Sequence, residues 1–200
     1  VFNDESEYNE NRVYTLQDGS YIIKNVPEDH PIAILNSGLS NITYAPVNDS
    51  PIVIKVSGGQ FSSPYYFFTD ETGNNIDMST YEFMRGRTYR FESNGISSSH
   101  PFEIRYNKGV TQSNSITGTG NSIQITMAND DNSDSYFRCN HHSGMRGNLL
   151  FMYSTVGGNE YNFYHGDVNI IVNGDFGQMS VYCYNHGYMG GENLLRYSSG

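Results

Sequence analysis

The chain has 200 residues, 36% of them hydrophobic and 16% charged, and no apolar run near the roughly 18 residues that a membrane helix needs. Eleven basic residues against 21 acidic ones give a net charge of -10, which argues against nucleic acid as a partner and against anionic surfaces. The N-terminal VFNDESEYNENR is acidic and polar with no signal-peptide core, and reads as the start of a mature or excised fragment.

With 21 Gly, 17 Tyr, 11 Phe and no Trp, the composition suits half-buried pleated surface joined by tight turns, and no long amphipathic helical stretch occurs. The predicted class is all-β. Period-2 runs fall in chain order at 13–16, 21–24, 32–35, 52–56, 65–69, 88–92, 102–106, 122–127, 135–139, 149–153, 168–172, 180–183 and 194–197. Turn residues such as Gly58-Gly59, Gly73-Asn74-Asn75, Asn94-Gly95 and Gly157-Gly158 separate them, a pattern of sandwiches or Greek-key barrels. Asn-Ile-Thr at Asn41 and Asn-Asp-Ser at Asn48 match glycosylation acceptors, a weak signal in an Asn-rich chain.

Internal repeats organise these runs. Residues 18–36 and 85–107 share a Gly just before a Tyr (Gly19 and Tyr21, Gly86 and Tyr89), a polar loop, His-Pro and an alternating strand. Residues 122–150 and 167–195 share an alternating strand, an Asn/Asp/Gly turn, a strand ending in Cys, then Cys-x-x-His-x-x-Met and Leu-Leu. Two tandem domains would alternate these elements. The observed order, first element twice and then second element twice, instead predicts nesting: 51–153 inserted into a unit made of 1–50 plus 154–200, with crossed or swapped pairing as the competing arrangement. His100 precedes Cys139 by 39 residues and His30 precedes Cys183 by 153. Removing the insertion shortens the outer spacing to about 50, and each unit then holds about 100 residues, enough to bury a core.

The repeated Cys-x-x-His-x-x-Met unit carries the chemistry. A strand delivers Cys139 or Cys183, and a tight loop returns His142 and Met145, or His186 and Met189, to the same point. A neighbouring strand supplies His100 or His30. Two imidazoles and a thiolate with a weak axial thioether form a blue-copper donor set. With these residues the chain resembles the cupredoxin family. The His100, Cys139, His142, Met145 spacing is similar to that of amicyanin-like members. The stretches His30-Pro31-Ile32-Ala33 and Tyr182-Cys183-Tyr184-Asn185-His186-Gly187-Tyr188-Met189-Gly190-Gly191 resemble cupredoxin-like repeats in proteins of large algal viruses. The resemblance implies two Greek-key β-sandwiches with one copper ion each, the inner site the better candidate. It also implies a redox partner protein or assembly neighbours, and an extracellular or virion-surface location.

Other readings stand beside this one. Cys139 and Cys183 can form a disulfide, zinc suits Cys and His equally, and Met145 and Met189 can be core filler. His141 reads as an exposed loop residue, because the matching outer position is Asn185, and His165 as a surface turn. The His-x-His or His-Cys-His pairs of multicopper oxidases are absent, as are hydrolase, metalloprotease and phosphate-loop motifs, and the carboxylates form no evident acid–base pair. The reading is a non-enzymatic copper protein handling electrons or copper. The alternative is a structural module of an extracellular or virion assembly whose metal only stabilises it.

Overall fold

The computed structural model describes residues 12–106, 114–131 and 133–200. The acidic N-terminal stretch 1–11, Asn107 at the end of one repeat element and Asn132 in another lie outside the described residues. The described residues form strands and turns without a helix, so the chain is all-β. Among them no helix is long and apolar enough to cross a membrane. The chain divides into two compact units, Val1–Val47 with Tyr153–Gly200, and Asn48–Met152.

In the unit Asn48–Met152, a five-stranded sheet runs in the order Gly118–Thr126, Thr88–Ile96, Ile52–Gly58, Tyr66–Thr69, Asn75–Ile76. Its Ile52–Gly58 to Thr88–Ile96 pairing is parallel and the others are antiparallel. Alternation buries Tyr89, Phe91 and Ser93 and leaves Thr88, Arg90 and Glu92 half-buried. A second, antiparallel sheet joins Phe102–Arg105, Tyr136–Cys139 and Arg146–Asn148. Aromatic rings bridge the two. Phe102 lies 6.0 Å from Phe91 and 5.8 Å from Phe137, and Phe137 lies 5.0 Å from Phe68. Each buried ring of this kind contributes about 1.5–3 kcal/mol through the water it sheds. A short parallel pair, Glu82–Met84 with Leu150–Met152, completes the unit.

The other unit has a sheet in which Gln178–Cys183 pairs with Leu195–Tyr197 and Ile32–Leu35, extended by Tyr14–Leu16 and Gly187–Tyr188. A second sheet places Gly166–Val172 between Gly19–Val26 and Ile42–Pro46. Val168, Ile170 and Val172 of one sheet and Leu16, Ile34, Val181 and Leu195 of the other are buried. A Gly157-Gly158 hairpin joins Tyr153–Val156 to Asn159–Asn162.

Several strands escape the alternation pattern: Ile42–Pro46, Glu82–Met84, Arg146–Asn148, Asn159–Asn162 and two of two residues each. Ile42–Pro46 is an edge strand, where a proline's missing N–H is tolerated, and Pro46 masks it in the sequence.

Candidate metal centres

The strand Tyr136–Cys139 delivers Cys139 at its last position, directly opposite Phe102. Pro101 carries the neighbouring chain on to His100, and its carbonyl accepts the Asn140 N–H at 2.9 Å. His100 sits in a turn closed by its own N–H to the Ser97 carbonyl at 3.1 Å. On the other side, the Cys139 N–H donates to Met145 O (2.9 Å) and the Met145 N–H to His142 O (3.0 Å), so the loop returns His142 to the sulfur. Backbone bonds, not long side chains, fix the donors. The Nδ1 atoms of His100 and His142 are 3.2 Å apart and lie 3.8 and 3.6 Å from Cys139 Sγ. Cys139 and His100 are buried and His142 is half-buried.

Two groups, Tyr66 and Glu103, support this arrangement from behind. The Tyr66 hydroxyl donates to the His100 carbonyl at 2.9 Å and to the Pro101 carbonyl at 3.2 Å. Burial above all, then the adjacent Cys139 and Glu103, push the Tyr66 phenol above its usual range, so it stays protonated and a donor. Glu103 is fully buried beside the Phe102–Cys139 pair. Its Oε1 accepts from Arg105 Nε at 2.8 Å and from Arg138 Nε, and its Oε2 accepts from Asn140 Nδ2 at 2.6 Å. Burial raises the Glu103 carboxyl, but the bonds from Asn140, Arg138 and Arg105 outweigh it and leave a net lowering.

The second centre repeats the scaffold. Cys183 ends the strand Gln178–Cys183 opposite Ile32, the Tyr184 N–H donates to Pro31 O at 2.8 Å, and the His30 N–H closes a turn onto Pro27 O at 3.0 Å. His30 Nδ1 and His186 Nδ1 are 3.1 Å apart, at 3.9 and 3.5 Å from Cys183 Sγ. Here His30 is half-buried and His186 exposed. His30 Nε2 faces the Asp29 carboxylate at 3.5 Å, the orientation in which a second ring nitrogen steadies a ligating histidine.

Each trio fits one ion. For both triangles a single point lies about 2.0 Å from the two nitrogens and about 2.3 Å from the sulfur, ordinary metal–imidazole and metal–thiolate lengths. Two groups that could hold a metal ion are thus present, His100/Cys139/His142 and His30/Cys183/His186. Both cysteines are free and buried, so the disulfide reading is set aside.

The methionines differ. Continuing the hairpin register places Met145 opposite Cys139, where it is buried. In the outer hairpin Gly187 stands opposite Cys183 and Met189 opposite Val181, two residues or about 7 Å farther along the strand. Gly187, at φ +80°, closes this turn two residues earlier than its counterpart, although the Cys-x-x-His-x-x-Met spacing is identical.

His141 is exposed, as expected, but it is also tied down: its Nδ1 donates to Ser99 O at 3.2 Å. Asn185 makes the matching bond from Nδ2 to Asp29 O at 2.8 Å. His165 belongs to neither metal group and is half-buried, not at an open turn, because it follows Tyr164, which pairs with Ile32. Sequence reasoning missed Glu103 and Tyr66. A glutamate and an arginine at interior positions of the two strands that end near His100 and Cys139 were the available signal for the first. No family model matches the chain, and neither a curated protein nor a solved structure matches it.

Proposed function

We propose that the chain is a copper-binding protein built of two cupredoxin-like Greek-key sandwiches, one inserted in the other, that handles electrons or copper and transforms no substrate. The observation that carries this reading is the double assembly of one donor set, two Nδ1 atoms and a cysteine sulfur, from the same strand-and-loop scaffold. His100, Cys139 and His142 hold one ion, with Met145 opposite the cysteine as fourth donor. His30, Cys183 and His186 hold the other, where Met189 stands two residues farther along the hairpin than Met145 does in the inner one. The soft thiolate favours copper, which when bound supplies a one-electron couple. The protein's part is to keep the donors in place: backbone hydrogen bonds at Pro101, Met145 and Pro31 fix the donor-bearing residues, so little rearrangement accompanies a change of charge at the site.

The test is a Cu(II) titration of the full chain and of Cys139→Ser and Cys183→Ser, read by metal content and by the visible thiolate-to-copper band. Two equivalents are expected for the full chain and one for each variant, with the β-sheet signal of both variants intact. The band should bleach with a reductant and return with an oxidant. A tightly held ion that cannot be cycled would leave only a structural staple, and unchanged metal content in both variants would end the metal reading altogether.

A further inference from the structure

We propose that Phe61 shields the inner centre and sets how fast its metal is released, an inference that rests on the copper reading above. Phe61 is the most exposed large hydrophobic residue among those described, at 69%. Its ring nevertheless packs against two others. Its centroid lies 4.9 Å from that of His100, edge-on at 89°, and 4.8 Å from that of His142 at 59°. One side chain therefore covers both imidazoles whose Nδ1 atoms face the cysteine sulfur.

The loop that carries Phe61 is built against the site. The N–H groups of Gly59 and Gln60 both donate to Tyr65 O at 2.9 Å, the Tyr65 N–H donates to Ser62 O at 3.0 Å, and the Ser97 N–H donates to Gly58 O at 2.8 Å. Gly59 has φ +86°, and a Cβ there would stand 3.2 Å from the Cβ and carbonyl oxygen of His100 and from the Cβ of Ser97. Any side chain would push the loop away from the turn that presents His100. The close approach of this loop to a ligand residue thus depends on the bare backbone of Gly59.

Among the described residues no third ring packs on the outer pair of imidazoles. The rings of His30 and His186 pack on each other, with centroids 4.7 Å apart. The His30 side chain is 40% exposed and His186 is exposed, whereas His100 is 9% exposed. Release of an ion requires water or a competing ligand to reach the donor atoms as each imidazole swings away. Phe61 must leave both imidazoles before either can do so, and its contacts are lost in that opening. The shield therefore slows loss of metal from the inner centre and leaves the outer one exchangeable.

The experiment uses the full chain carrying Cys183→Ser, so that only the inner centre takes copper, and follows decay of the band after mixing with excess EDTA. Phe61→Ala should speed the decay from about two-fold to about ten-fold, the range that an aromatic pair contributes. Phe61→Leu, which keeps the bulk, should recover part of the protection. Phe61→Ala in the Cys139→Ser background should leave release from the outer centre unchanged. Equal decay rates with and without Phe61, or equal acceleration at both centres, would overturn the shield. Failure of the Cys183→Ser protein to take up any copper would overturn the copper reading itself, and the shield with it.

Discussion

One residue beyond the Phe102–Cys139 pair, Glu103 stands opposite Arg138, and one residue beyond Ile32–Cys183, Ala33 stands opposite Tyr182. The inner centre thus leans on a buried carboxylate gripped by two guanidinium groups and the Asn140 amide. The outer centre leans on rings: Phe163 lies 4.9 Å from Tyr184 and 6.3 Å from Tyr182, and Tyr182 lies 5.2 Å from Tyr188. One backbone bond beside the cysteine is the same in both, Asn140 or Tyr184 N–H to the proline carbonyl, while the hairpins that follow differ. Donor placement is therefore a property of the scaffold, and the layer behind the cysteine strand varies without moving it. The two solutions fail differently. A buried carboxylate costs several kcal/mol unless its oxygens are all satisfied, so losing one partner is expensive. Each ring pair contributes only about 0.5–1.5 kcal/mol beyond its burial, and its loss is local.

Glu103→Gln is the strongest way to break this contrast. It leaves two guanidinium groups around a neutral amide, and the unit Asn48–Met152 should lose about 3 kcal/mol, the scale for disrupting a buried pair. Amide hydrogen exchange should accelerate along Tyr136–Cys139 and stay unchanged along Gln178–Cys183. Equal acceleration on both strands would show that the two centres do not stand on separate supports.

Acid should reproduce the same asymmetry more gently. Because the folded Glu103 carboxyl titrates below its unfolded value, its contribution is complete above the unfolded pKa of about 4.3 and is lost as the pH falls through the folded value. Below about pH 4, exchange along Tyr136–Cys139 should rise before exchange along Gln178–Cys183. The rings around Cys183 supply no carboxylate at the equivalent place, since Ala33 occupies it.

Much of this was legible in the chain itself, and the gaps have physical reasons. Alternation marks the long strands because one face of each meets a core, as at Tyr89 and Phe91. It fails for Arg146–Asn148 and Asn159–Asn162, which are three and four residues long and mostly polar, and which exist through their partners. His30 and Cys183, 153 residues apart, are juxtaposed as His100 and Cys139 are, and the repeated His-Pro and Cys-x-x-His elements carry that information. The hairpin difference at Met145 and Met189 is invisible in the motif spacing, which is the same in both, and accompanies the left-handed backbone at Gly187. Phe61 left no sequence signal at all. Its role comes from the loop that Gly59 lets close onto His100.

The finest test of the comparison concerns the two tethers at one repeat position. His141 Nδ1 donates to Ser99 O, and Asn185 Nδ2 donates to Asp29 O, so each ties the loop of the second histidine to the residue before the first. Both side chains are exposed, and water competes for the same carbonyl, so each bond contributes at the low end of the usual range, about 0.5–1 kcal/mol. Asn185→Ala should weaken copper binding at the outer centre by about two- to five-fold in a competition titration, and His141→Ala should do the same at the inner one. His141→Asn should restore the inner value, because an amide already serves this purpose in the other repeat. A small, rescuable loss is the signature of a tether. Complete loss of copper in His141→Ala, with His141→Asn no better, would instead make His141 a donor and displace His142 from the inner trio.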